Sequence, residues 1–270
     1  IAEALVGSNS LSRVDKIVVV QHAHIADLNW NAGRDVWAHE LLALAEQKLL
    51  KEAGCKSAAD FLALATDKFV AEIYALAPPV AVDAEYPLFI IYTSGSTGKP
   101  KGVVHTHGGY VAGIAHTMRV AFDATPGRDV MYVVADPGWI TGQSYLISAA
   151  LTTRTTSVVT EGSPLFPSAG RFSSIIERYK VSIFKAGSTF LKAIASDPEN
   201  VADVEKYSRE SLRVGTFCAE PTSPSIQEFA MSLLTHQYTN SYWATEHGGI
   251  VLTHFFGNED FKLKADAHTF

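Results

Sequence analysis

Tyr92-Thr93-Ser94-Gly95-Ser96-Thr97-Gly98-Lys99-Pro100-Lys101-Gly102 carries the residue types that a phosphate chain needs from a binding loop. Glycines let the backbone approach closely and take positive φ. Hydroxyls and free N–H groups can point inward as donors, and Lys99 and Lys101 bring countercharge. The stretch follows Leu88-Phe89-Ile90-Ile91 and precedes Val103-Val104-His105, so it reads as a buried strand that empties into a loop. A Walker-type phosphate loop would need a glycine where Thr93 stands, and a helix opening at Lys99. Pro100 opposes that helix, because it lacks an N–H and turns the residue before it away from helical geometry. The chemistry is therefore that of a polyphosphate loop between extended segments; the plainer reading of such a composition is a solvated Ser/Thr/Gly turn.

A second group of chemistry-bearing residues is Asn240-Ser241-Tyr242-Trp243-Ala244-Thr245-Glu246-His247-Gly248-Gly249, which joins an aromatic pair, a hydroxyl, a carboxylate and a glycine pair. A carboxylate such as Glu246 beside a triphosphate repels it unless Mg²⁺ lies between them, the usual way an acidic side chain joins a nucleotide site. On an extended chain His247 faces away from Glu246, so the two are expected to have separate roles. A third stretch, Asp136-Pro137-Gly138-Trp139-Ile140-Thr141-Gly142, reads as a loop following a strand, where α/β proteins keep their ligands. His22 and His24, two apart beyond an apolar run, share a face if extended and allow a metal site, but a solvated strand end is the stronger reading.

These groups must be held by the elements around them. Leu11 to Val20, Leu88 to Ile91, Val130 to Ala135, Ser157 to Thr160, Val181 to Phe184 and Leu212 to Phe217 have the β-branched, apolar character of buried strands. Helical spacing of apolar residues runs from Asp35 to about Val80, in two segments broken at Gly54 and ended by Pro78-Pro79. Trp37, Leu41, Leu42, Leu44 and Leu49 form the first stripe, and Phe61, Leu62, Leu64, Phe69, Ile73 and Leu76 the second, both expected to face a core or a docking surface. Further helices are expected over Thr106 to Phe122, Phe172 to Tyr179, Ser188 to Ser196 and Ser223 to Leu234, the last with Ser223 as N-cap. Strand, loop and helix alternate often enough to predict an α/β fold of layered, mainly parallel β-sheets flanked by helices.

Composition narrows the class. The chain has 270 residues, of which 47% are hydrophobic and 19% charged, enough to bury a sizeable core. A formal charge of −6 without a basic stripe argues against nonspecific nucleic-acid binding. Cys55 and Cys218 are too few and too distant for a disulfide framework or a zinc site, which fits a reducing compartment and predicts a cytoplasmic protein. No apolar run approaches the ~20 residues of a membrane span. A start at Ile1 and an end at Phe270 suggest a piece of a longer protein.

Taken together, Tyr92 to Gly102, Asp136 to Tyr145 and Tyr242 to Gly249 resemble three segments of the AMP-forming acyl-CoA synthetases, within the adenylate-forming superfamily, and in particular its acetyl- and propionyl-CoA synthetase branch. The resemblance covers the chain from about Leu11 to Gly249 and makes residues 1–270 the central part of the large N-terminal, AMP-binding domain. It implies that Thr93, Ser94, Gly95, Ser96, Thr97, Gly98 and Lys99 hold the phosphates of ATP, that Thr245 meets the α-phosphate and that Glu246 binds Mg²⁺. Lys99, Thr245 and Glu246 would then be the residues nearest the chemistry. By the same resemblance Ala219, Glu220 and Pro221 line the adenine, Tyr242 stacks on it and Asn240 lies near its amino group. Trp139, Ile140, Thr141, Cys218 and Trp243 enclose the acyl chain. The implied reaction activates a short carboxylic acid as acyl-AMP with release of pyrophosphate, then transfers the acyl group to CoA with release of AMP.

Three positions depart from the acetate enzymes: Ala244 stands in place of Gln, Ala219 in place of Gly, and His247 in place of Thr. The Tyr242 to Gly249 wording is most similar to that of the propionyl- and 3-hydroxypropionyl-CoA synthetases, so the expected acid is propionate, 3-hydroxypropionate or acetate. A C-terminal domain carrying the adenylation lysine, together with the ribose-binding residues, is expected beyond residue 270. Two other readings share the phosphate loop: a different adenylate-forming ligase, which Trp139 to Tyr145 argues against, and a non-catalytic nucleotide-binding module, which Lys99, Thr245 and Glu246 argue against.

Overall fold

A computed structural model describes residues 15–22, 28–64, 66–93 and 98–268. Leu11 to Val14, His24 and the loop residues Ser94, Gly95, Ser96 and Thr97 lie outside the described residues. The chain divides into two compact units, Ile1–Ala81 and Val82–Phe270.

In the first unit, strands β1 (Ile17–Val19) and β2 (Asp35–Trp37) pair in parallel, Ile17 against Asp35 and Val19 against Trp37. Helix α1 (Ala38–Ala53) follows β2 directly and stops at Gly54, which takes φ 67°. Its successors are α2 (Ala58–Leu62), where Ser57 Oγ accepts from the Asp60 N–H, and α3 (Thr66–Leu76). Three expectations are corrected. The strand read from Leu11 to Val20 is only three residues long among the described residues, and Val18 and Val20 are exposed. Asp35 to Trp37 is extended rather than helical, and Trp37 stacks on Trp30 at 4.4 Å. Of the two settings expected for the α1 stripe, a core is not the one found: Leu41, Leu42 and Leu44 are exposed, and the helix buries no residue. Helical periodicity reports where side chains point, not whether anything is packed against them.

The second unit carries the larger framework. Strands β3 (Pro87–Thr93) and β4 (Lys101–Thr106) form an antiparallel pair whose register ends on Thr93 opposite Lys101, so the phosphate-type loop joins two extended segments and opens no helix. The expected burial of β3 is not found. Only one face of a two-stranded sheet is covered, so Phe89 and Ile91 pack inward while Leu88, Ile90 and Tyr92 are exposed. Helix α4 (His107–Phe122) then buries Tyr110, Ile114, Met118 and Phe122 at helical spacing.

The main sheet is built from β5 (Val130–Val133), β6 (Thr156–Val158), β7 (Ile183–Gly187), β8 (Val214–Cys218), β9 (Tyr238–Tyr242) and β10 (Leu252–Thr253). Its order is β10-β9-β8-β7-β5-β6, with β10 antiparallel to β9 and every other pair parallel. Interior strands of such a sheet are covered on both faces, and alternation sends Phe184 and Phe217 to one core, with Phe172 and Ile176, and Ile183 and Val214 to the other, with Met131 and Tyr145. Each fully buried large apolar side chain contributes roughly 1.5–3 kcal/mol.

Connections include α5 (Ala149–Thr153), α6 (Gly170–Tyr179), α7 (Ser188–Ala195), α8 (Pro198–Glu205) and α9 (Pro224–Leu233). Ser223 occupies the N-cap position of α9, but its hydroxyl bonds Ser225 Oγ and not the helix N–H groups. Helix α8, capped by the Asp197 carboxylate, and strand β9 had no counterpart in the sequence reading. Between β5 and α5, Gly142–Ser148 forms a π-helix, an uncommon conformation that recurs at functional sites. Among the described residues no helix is long and apolar enough to cross a membrane.

Candidate active site

The Asp136 and Tyr242 segments leave the main sheet at the carboxyl ends of parallel strands, the usual place for a ligand in α/β folds, and the phosphate-type loop comes from the separate β3–β4 pair. Cys218 ends β8, Tyr242 ends β9, and the Asp136 turn follows β5. A cleft of about 610 Å³ opens there. All five residues expected around an acyl chain, Trp139, Ile140, Thr141, Cys218 and Trp243, line it. Thr93, Thr245 and Glu246 line the same cleft, so the polar and apolar groups meet in one space. A second cleft of about 300 Å³ is lined by Ala219, Glu220, Pro221, Asn240 and Tyr242, the residues expected around adenine. Ala219 and Trp243 border both clefts.

Local structure explains each placement. Gly138 N–H donates to Asp136 Oδ1 at 2.6 Å, and Trp139 N–H to Asp136 O at 3.0 Å, which turns the chain into the π-helix. Gly142 is required at that turn: a Cβ there would sit 2.2 Å from Asp136 O. Trp139 is 73% exposed and forms a lip of the cleft, whereas Ile140 and Cys218 are buried in its wall.

The Tyr242 to Gly249 segment is corrected from extended chain to turn beyond Trp243. His247 N–H donates to Ala244 O at 3.1 Å, and His247 Nδ1 accepts from the Ala244 N–H at 3.0 Å. Strand alternation therefore does not govern Glu246 and His247; the imidazole is spent on closing the turn. The turn is tied down by His105 Nε2–H, which donates to Thr245 O at 2.9 Å, and by Ser144 Oγ–H, which donates to Gly248 O at 2.5 Å.

The second cleft is equally constrained. Asn240 Nδ2–H donates to Ala267 O at 2.7 Å. Glu220 accepts from Thr189 Oγ1 at 2.6 Å and from Lys192 Nζ at 3.4 Å, and these partners hold its carboxyl below the usual carboxylate range. Ala219 takes φ 81°, a left-handed conformation unusual for a residue with a Cβ.

Gly98 and Lys99 are exposed beyond the undescribed part of the loop. The lysine that lines the larger cleft is Lys101, paired with Thr93 in the hairpin register. The sequence reading favours Lys99 as the residue near the chemistry and gives Lys101 only as countercharge, because the register that sets Lys101 opposite Thr93 is not visible in the sequence. It missed Lys185 altogether. This side chain is fully buried on β7, donates to Ser241 Oγ at 3.0 Å and lies over the rings of Tyr145 and Trp243. Burial holds its amine below the usual lysine range, against the opposing influence of Cys218. A lysine inside an apolar strand run was the available signal, but the expected strand stopped at Phe184.

The donor set suits a magnesium–nucleotide complex better than a free metal. Glu246 is exposed at the cleft and makes no salt bridge among the described residues. Among those residues no cluster of three His, Cys, Asp or Glu side chains is placed to hold a metal. One carboxylate flanked by hydroxyls fits Mg²⁺, which keeps most of its coordination for water and phosphate oxygens.

The family model of the AMP-binding enzymes matches residues 8–268. The chain is 37% identical over 243 residues to acetyl-coenzyme A synthetase 2 of Pseudomonas aeruginosa, covering 89% of this chain and 33% of that protein. It is 36% identical over 254 residues to acetyl-coenzyme A synthetase 2 of Saccharomyces cerevisiae, covering 93% of this chain and 33% of that protein. Against the acetyl-coenzyme A synthetase of Methylobacterium radiotolerans the identity is 42% over 179 residues, 65% of this chain and 27% of that protein. The chain thus spans about a third of the length of the curated relatives it matches. With a family match over nearly its whole length and this agreement in sequence, the chain belongs to the AMP-binding enzymes.

Proposed function

We propose that the protein carrying this chain is an AMP-forming acid–CoA ligase that activates a short carboxylic acid with ATP. The observation that carries the reading is the shared cleft, where the apolar wall of Ile140, Cys218 and Trp243 meets Thr93, Lys101, Thr245 and Glu246. A carboxylate oxygen of the acid attacks the α-phosphorus of ATP, and the bond to the bridging oxygen breaks to release pyrophosphate. The thiol of CoA then attacks the acyl carbon, AMP leaves, and the thiol proton passes to solvent.

This chemistry needs positioning and charge neutralisation more than a protein nucleophile. Thr93 and Lys101, opposite each other in the hairpin and lining the cleft, would bind phosphate oxygens, with Ser94 to Lys99 as the rest of that loop. Thr245 would meet the α-phosphate, its turn oriented by His105 and Ser144. Glu246 would hold Mg²⁺, whose charge offsets that of the departing pyrophosphate. Ala219, Glu220, Pro221, Asn240 and Tyr242 would receive the adenine. Trp243 closes the acyl side and favours acids of two or three carbons. The relatives are named acetyl-coenzyme A synthetases, whereas the Tyr242 to Gly249 wording, with Ala244 and His247, favours propionate or 3-hydroxypropionate. A C-terminal domain would supply the adenylation lysine.

Exchange of labelled pyrophosphate into ATP by the intact protein, over acetate, propionate, 3-hydroxypropionate and butyrate, tests the proposal. Acid-dependent exchange with a short acid supports it. Exchange with no acid overturns it.

A further inference from the structure

Lys185 occupies an interior strand, with Val133 of β5 and Thr216 of β8 as its lateral neighbours. Its ammonium is completely removed from water, and no carboxylate pairs with it among the described residues. Desolvating an amine there is costly, and an apolar side chain of the same length would fill the space without that cost. The position is therefore not explained by packing.

Its surroundings are specific. Ser241 Oγ–H donates to Phe217 O at 2.8 Å, which turns the serine's lone pairs toward Lys185 Nζ at 3.0 Å. The rest of the ammonium meets π-systems, with the Tyr145 centroid at 4.9 Å and the Trp243 centroid at 5.3 Å. Those two rings contact each other edge to face at 5.3 Å and 88°. Tyr145 is itself immobilised, accepting from the Ile250 N–H at 2.9 Å and bonded to Thr117 Oγ1 at 3.1 Å. Trp243 is the least buried member of this group, and it is also the one that lines the cleft.

We propose that Lys185 is a positioning residue that sets the length of acid accepted, by holding the Trp243 indole at the end of the acyl cleft. The inference rests on the acid-activating reading above. The hold depends on the ammonium form, since a neutral amine loses most of its attraction to an aromatic face. The titratable groups packed against it are Cys218 from β8 and Tyr145 from the π-helix; β9 presents Ser241 and the residue just beyond β9 is Trp243, neither of which titrates. Burial pushes the Tyr145 phenol up, so it stays protonated across the neutral range. Burial also favours the neutral form of Lys185. Rising pH therefore releases Trp243 earlier than an ordinary lysine would allow, and discrimination against longer acids weakens.

The test compares the intact wild-type protein with Lys185→Met, measuring kcat/KM for pyrophosphate exchange with propionate and butyrate across a pH series. The expected wild-type preference for propionate falls as pH rises. In Lys185→Met it is about tenfold weaker at low pH, the equivalent of one cation–π contact, with no further dependence on pH. The change is carried by the KM for butyrate. An unaltered preference in Lys185→Met at every pH overturns the inference. Tryptophan emission, taken as the difference between wild type and Trp243→Phe, provides a second reading that needs no activity. A pH-dependent shift that Lys185→Met abolishes supports the inference, and emission flat from about pH 6 to about pH 10 overturns it. Absence of exchange with every acid would fell the assigned reaction, while the emission measurement still decides the pairing of Lys185 with Trp243.

Discussion

His105 and Thr245 lie 140 residues apart, and the His105 Nε2–H joins them by donating to the Thr245 carbonyl at 2.9 Å. The bond links strand β4, which leaves the phosphate-type loop, to the turn that carries Glu246. The imidazole is held in turn by Phe89 and Tyr110, with ring centroids at 5.1 and 5.4 Å. Gly248 completes the contact, at φ 75°, because a Cβ there would lie 2.9 Å from both the His105 and Tyr110 rings. Two segments remote in sequence thus share one fixed junction beside the cleft.

Replacing His105 with Phe preserves the ring packing and removes the donor. Thr245 O is left unpaired in a partly buried setting, at a cost of about 1–2 kcal/mol. Misplacement of the turn should lower pyrophosphate exchange about tenfold. Denaturant unfolding and exchange kinetics check the two effects separately; an unchanged exchange rate would detach this junction from catalysis.

Glu246 is exposed and forms no salt bridge among the described residues, so Glu246→Gln should leave the melting temperature essentially unchanged. Loss of the carboxylate charge should slow adenylation about a hundredfold and raise the Mg²⁺ concentration needed for half-maximal rate. A magnesium titration of exchange with both proteins decides it. Identical titration curves would remove Glu246 from the metal.

Ala219 holds a left-handed φ of 81° between the two clefts. Ala219→Gly relieves that strain and should stabilise the fold by about 1 kcal/mol, less the extra freedom glycine gives the unfolded chain. Thermal unfolding of the variant measures it. A lower melting temperature would mean that the Ala219 methyl contributes more by packing than the backbone loses by strain.

Asp129 is buried just before β5 and ties the turn after α4 to Ser182 and Arg213. Burial alone would raise its pKa, but hydrogen bonds from Ser182 Oγ at 2.7 Å, the Thr125 N–H at 2.9 Å, Arg128 and Arg213 outweigh that and hold its carboxyl below the usual range. A depressed folded-state pKa contributes stability that is complete above the unfolded value, about pH 4, and lost as pH falls through the folded value. Asp129→Asn should therefore be less stable by about 3 kcal/mol at neutral pH and lose less on acidification. Unfolding midpoints measured from neutral pH into acid test this, and parallel acid profiles for the two proteins would refute it.

The α/β class, the strands from Val130, Val181 and Leu212, and helix α4 were legible in the chain because interior parallel strands are nearly continuous apolar runs and a packed helix repeats its apolar residues at helical spacing. The polar run Tyr238–Tyr242 was not legible as a strand, because its pairing with β8 comes from backbone groups that every sequence possesses. Pro100 by itself determined that the phosphate-type loop opens no helix, since its missing N–H and its ring act locally wherever the loop lies.

Coverage was decided only in three dimensions. Leu88 and Ile90 read as core and are exposed, whereas Lys185, of a residue type that prefers the surface, is buried. Composition states what a side chain prefers; its surroundings depend on which strands are neighbours and what packs over them. The Tyr242–Gly249 residues could be assigned roles from their types, but the turn that aims Thr245 and Glu246 depends on His105 and Ser144, supplied by distant elements. The chain thus carries its reactive groups in local order, and the convergence of β8, β9, the π-helix and the β3–β4 hairpin brings them into one cleft, because hydrogen bonds and packing act between neighbours in space rather than neighbours in sequence.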